Sequence, residues 1–125
     1  MPDNTPAVIT KVYDLLLWIL PKLAKFPKDQ RYLLGQRIEN GLLEILEILI
    51  EASFTKEKLN LLRRANLNLE KSRFLLRLAK DMHYINLAAY EYQAKLVNEI
   101  GKMLGGWIKS QNSGSAISLD AQRQG

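Results

Sequence analysis

The sequence predicts an all-α chain folded as an up-down four-helix bundle, and three observations carry that prediction. Apolar residues recur at spacings of three and four through four successive segments. The breaks between those segments are short, as expected for antiparallel neighbours. No stretch alternates with the period of two that marks a half-buried strand.

The 125 residues fit one compact domain, and a chain that is 47% apolar and 25% charged has enough apolar surface for a real core. The absence of cysteine excludes disulfides, thiolate metal sites and cysteine nucleophiles. The opening MPDNTPAVITK carries Asp3 and two prolines where a signal peptide has a basic and then an apolar region. The run Leu15–Leu20 is far too short to span a bilayer, so a soluble, cytoplasmic protein is expected.

The first helix is expected from about Ala7 to Phe26, with Thr5 as its cap and Pro6 at the first helical position. Val12, Leu15, Leu16, Ile19, Leu23 and Phe26 form its buried stripe. Pro21 falls inside that pattern and predicts a kink within one helix.

A second helix is expected from Lys28 to Ala52, burying Leu34, Ile38, Leu42, Ile45 and Ile48 or Leu49. Glu44, Glu47 and Glu51 fall on its wet side. Gly35 and Gly41 cost about 1 kcal/mol each in a helix interior, which means either close approach by another helix or tolerance of two weak positions.

Thr55 is a plausible cap for the third helix, which runs to about Lys80. Asn86 can cap a fourth, from Leu87 to about Gln111, with a stripe of Ala89, Leu96, Ile100, Met103, Leu104 and Trp107. Beyond it QNSGSAISLDAQRQG is polar and rich in glycine and serine, so residues 1–111 read as the bundle and 112–125 as a flexible tail.

Charge singles out the third helix. The formal charge of the chain is +5. Residues 56–80 hold eight basic side chains against Glu57 and Glu70, a net +6, whereas residues 37–55 hold Arg37 against four glutamates, a net −3. Such polarisation is the electrostatic footprint of phosphate binding, although a solvated face that keeps a bundle soluble has the same composition. Leu62, Ala65, Leu69, Leu76 and Ala79 point one way for the core, and Leu67, Phe74 and Leu78 another, among Arg63, Lys71 and Arg77. A helix apolar on two sides tends to bury both, which places these cations beside a subunit boundary unless Phe74 simply widens the core.

Catalytic groupings are missing from the pattern. His83 is the one histidine, so the Glu-x-x-His pairs of a carboxylate-bridged metal site cannot be assembled from Glu39, Glu44, Glu47 and Glu51. Gly105-Gly106 lacks the Lys-Ser/Thr of a phosphate loop. No enzyme, metal or cofactor is expected. Trp18, Trp107 and the five tyrosines have mostly core spacing, with Tyr84, Tyr90 and Tyr92 as the group to test for base stacking.

Three stretches carry a resemblance: FPKDQRYLLGQRIENGLLEILEILIEA (Phe26–Ala52), SRFLLRLAKDM (Ser72–Met82) and EIGKMLGGWIKS (Glu99–Ser110). With the Gly-x-x-Leu-Gly-x-Trp-Ile pattern from Gly101 to Ile108 and Arg-Phe-x-x-Arg from Arg73 to Arg77, the chain resembles the family of the accessory variability determinant (Avd) of diversity-generating retroelements. The same four-helix-bundle family includes the S23 proteins encoded in intervening sequences of bacterial 23S ribosomal RNA genes, and the closing helix looks nearer to the Avd branch. The resemblance covers about residues 8–110.

It implies a homopentameric, barrel-like ring without catalytic activity, associated with the element's reverse transcriptase and template RNA in mutagenic retrohoming. By position it implies binding roles for Arg73 and Arg77, with Arg63, Arg64, Lys71 and Lys80 as neighbours. The tail is less basic than the Lys/Arg-rich end of the phage member. The alternative is a structural or interaction protein of the S23 branch with no polymerase partner.

Overall fold

In a computed structural model, the backbone is described for residues 4–124 and the side chains for residues 4–112. Helix α1 spans Ala7–Leu23. The short α2, Lys28–Gln30, passes through a single π-helical turn, Arg31–Gly35, into α3, Gln36–Ser53. Helices α4, Leu59–Asp81, and α5, Leu87–Gln124, complete the element order. Among the described residues there is no strand, so the predicted all-α four-helix bundle is the observed fold. The expected tail, residues 112–125, lies outside the described side chains apart from Asn112.

Helix α1 packs on α3 and α5, and α4 packs on the same two helices from the opposite corner. Between them lies one continuous core in which Leu15, Ile38, Ile45, Leu62, Leu76 and Ile100 are fully enclosed. Burying each such side chain stabilises the fold by about 1.5–3 kcal/mol. The stripes of the first three long helices are those the spacing predicts, except that Leu34 is only half-buried in the π turn and Ile48 and Leu49 are both buried. In α5 the core positions are Val97, Ile100 and Leu104, with Gln93 also buried, while Leu96, Met103 and Trp107 pack half-buried at the edge. The interruption by Gln93 hides this register from a purely apolar pattern.

The helix ends depart from expectation for local reasons. Thr5 makes no capping bond. Pro6 itself is the N-cap, its extended backbone (φ −53°, ψ 137°) offering a carbonyl to the amide of Ile9 at 3.0 Å. Helix α1 stops at Leu23, and Phe26 reaches the core from the following turn, its ring 5.5 Å from that of Tyr84. Thr55 closes α3 instead of opening α4, its hydroxyl donating to the Glu51 carbonyl at 2.6 Å. Lys58 follows, donating through Nζ to the carbonyls of Ala52 and Thr55, both at 2.6 Å. A cation at a helix C-terminus satisfies orphan acceptors and complements the dipole. Asn86 does cap α5, its Oδ1 accepting from the Ala89 amide at 2.8 Å.

The π turn lies where one uniform helix was expected. Gly35 is buried in it, with no room to spare: a β-carbon there would lie 3.4 Å from the Gln30 carbonyl oxygen and 3.5 Å from the Phe26 ring. The extra residue per turn re-phases the chain, so Ile38 enters the core while Tyr32 and Leu33 face outward. Gly41 marks a close approach of another kind, for a β-carbon there would lie 3.3 Å from Oγ of the buried Ser72 on α4.

Candidate nucleic-acid and partner interface

The core side of α4 is built from Leu62, Ala65, Leu69, Ser72, Leu76 and Ala79. At 100° per residue the opposite side collects Arg63, Leu67, Lys71, Phe74 and Leu78. All five are exposed, with Leu67 at 55%, Phe74 at 70% and Leu78 at 47% of full accessibility. The second apolar side read from the sequence is therefore real, and Phe74 does not widen the core.

The eight basic residues of this region divide into two groups. Lys58 holds the end of α3. Arg64 pairs with Glu44 of α3 at 3.3 Å. Arg77 lies 3.9 Å from Asp81, a loose exposed pair. Lys80 contacts the same carboxylate at 3.2 Å and stands 4.7 Å over the Tyr90 ring. Lys56, Arg63 and Lys71 have no ion-pair or hydrogen-bond partner among the described residues. Of the six residues proposed from sequence, Arg63 and Lys71 are thus the open cations.

Arg73 sits differently from the rest. Its Nη1 donates to Oδ1 of Asn98 on α5, and its Nε lies 3.1 Å from Glu70 without hydrogen-bond alignment. The guanidinium lies across Gly101, where a β-carbon would be only 2.7 Å from Nη2. Arg73 therefore ties α4 to α5 within the chain, and the Arg-Phe-x-x-Arg element splits into one inward and one outward arginine.

Each ring of the aromatic group singled out from the sequence has a contact within the chain, although Tyr92 stays 49% exposed. Trp18 and Tyr92 pack as a tilted pair with centroids 4.7 Å apart, Phe26 and Tyr84 are in contact, and Tyr90 lies under Lys80. Among the described residues, the exposed rings without a ring or cation contact are Phe74, Tyr32, Phe54 and Tyr13. Sequence reasoning also missed Arg37, an unpaired cation on α3, because it stands in an otherwise acidic segment. The signal available was its place facing Lys71 once α3 and α4 are packed as neighbours.

Among the described residues, no cluster of His, Asp or Glu is arranged to hold a metal ion, and no helix is long and apolar enough to cross a membrane. What these helices define is a small four-helix-bundle protein with a basic, partly apolar outer face on one helix. The chain belongs to the bAvd-like family, whose model matches residues 7–111.

Among solved structures, it is similar to a protein of unknown function from the S23 ribosomal protein family of Bacteroides thetaiotaomicron. That structure superposes with a TM-score of 0.76 at 21% identity, over 82% of this chain and 96% of the other. At that identity the likeness concerns the fold. No curated protein matches the chain.

Proposed function

We propose that this chain is the non-catalytic accessory protein of a diversity-generating retroelement, binding its reverse transcriptase and template RNA to support mutagenic reverse transcription. Membership of the bAvd-like family supports this reading. The observation that carries it is the outward face of α4, where the unpaired Arg63 and Lys71 alternate with exposed Leu67, Phe74 and Leu78. Cations supply salt-dependent attraction to phosphate, and the apolar side chains between them supply contact area for a partner.

The chain acts as part of a homopentamer. We place the ring contact on the edge of α1 and α3, where a groove of about 460 Å³ is lined by uncharged residues including Tyr13, Ile50 and Phe54. Uncharged apolar surface suits a permanent subunit interface and leaves α4 open.

Coexpression with the reverse transcriptase of the same element tests the reading. Recovery of a polymerase–RNA complex that is lost on Arg63→Gln with Lys71→Gln supports it. Recovery of the folded oligomer with neither partner overturns it. That result would favour the second reading, a structural protein of the S23 type, which the likeness to the Bacteroides protein also suggests.

A further inference from the structure

The face of α4 continues sideways into a groove against α3. Its volume is about 610 Å³, within the range of small-ligand sites, and its floor is Gly41, where a β-carbon would meet Ser72 at 3.3 Å. Arg37 stands on the α3 wall and Lys71 on the α4 wall, both exposed and unpaired. Asn40 and Asn68 line the same groove, one from each helix, and Phe74 closes the lining with a ring 70% exposed. Glu44 is also present, but its carboxylate is engaged by Arg64 at 3.3 Å.

We infer that this groove takes an unpaired nucleobase of single-stranded RNA, with Phe74 as the stacking platform. The inference rests on the RNA-binding reading above and names its subsite. The base and the phosphate of a nucleotide each have a counterpart here. A flat apolar ring meets the face of the base, two amide side chains offer donors and acceptors to its edge, and two cations flank it for phosphate. A duplex keeps its bases stacked inside and offers none of these faces, so single strands are preferred. An apolar protein helix would leave the amides and both cations unmatched, which disfavours that occupant.

The test uses fluorescence anisotropy of the full chain with a single-stranded oligoribonucleotide and an abasic oligomer of equal length and charge. Wild type is expected to bind the base-containing strand more tightly. Phe74→Ala should weaken that binding at least about fivefold, the low end for loss of one stacked base, and leave abasic binding unchanged. Phe74→Trp should restore it. Arg37→Gln with Lys71→Gln should weaken both oligomers alike. Because Phe74 is exposed, the variants should keep the wild-type melting temperature, which serves as the folding control. If Phe74→Ala leaves base-dependent binding intact, or changes only the oligomer mass, the subsite is wrong while RNA binding stands. If wild type binds neither oligomer, the RNA-binding reading falls as well.

Discussion

The Nη2 nitrogen of Arg73 occupies the space that a side chain at position 101 would need, 2.7 Å from the β-carbon position of Gly101. The obstacle is the far end of a flexible side chain, so it can move, at the cost of the bond to Asn98. Gly101→Ala gains about 1 kcal/mol of helix propensity and loses about 1 kcal/mol of hydrogen bonding, leaving the melting temperature within about 4 °C of wild type. Gly101→Leu also presses on Leu69, whose Cδ2 lies 3.6 Å from that position. It should destabilise by about 1–3 kcal/mol through overpacking. Thermal unfolding of both variants checks the pair, and equal effects would sink the account.

Arg73 and Lys71 are two residues apart and have opposite roles. Arg73→Ala removes the tie between α4 and α5 and should cost about 1 kcal/mol of stability, with little change in the salt dependence of RNA binding. Lys71→Ala breaks no hydrogen bond or ion pair among the described residues, so its stability should stay within about 0.5 kcal/mol of wild type. Its loss of one phosphate contact should instead reduce the slope of log K against log salt by about 0.7. Denaturant titration and binding at several salt concentrations read the two effects separately.

His83 has a left-handed backbone, φ 64°, at the end of α4. The amide of His83 donates to the Lys80 carbonyl at 2.9 Å and that of Tyr84 to the Ala79 carbonyl at 2.8 Å. This is the two-bond motif that usually carries glycine at the left-handed position. His83→Gly should therefore raise stability by about 1 kcal/mol, partly offset by the added freedom of the unfolded chain. His83→Val, branched at the β-carbon, should lower it by at least as much. A histidine that instead gained stability from a side-chain contact would reverse this order in a thermal melt.

The core was legible because burial follows period, and Ile38, Leu42, Ile45, Leu62, Leu69 and Leu76 are each where their spacing puts them. The outward face of α4 was legible for the same reason. The role of Arg73 was not, since it depends on Gly101, a residue 28 positions later whose missing side chain carries no local signal. Tyr84, Tyr90 and Tyr92 were grouped by proximity in sequence, which says nothing of what lies against each ring. Trp18 and Lys80 cover two of them. The π turn at Arg31–Gly35 has no pattern of its own; only the contact of Gly35 with the Phe26 turn reveals it.

The two exposed phenylalanines allow the proposed assembly and the proposed binding to be tested separately. Phe54 is 88% exposed at the end of α3 and lines the uncharged groove with Tyr13 and Ile50, whereas Phe74 lies on α4 among cations. A glutamate at an exposed position costs a single chain little, typically within about 0.5 kcal/mol. At a subunit contact the same carboxylate must lose its water without gaining a partner, which costs several kcal/mol per interface. Phe54→Glu should therefore convert the proposed pentamer to single folded chains by native mass measurement, with helicity unchanged. Phe74→Glu should leave the mass at five chains and abolish RNA binding. The opposite pattern would move the ring contact to α4 and leave its cations at a subunit boundary.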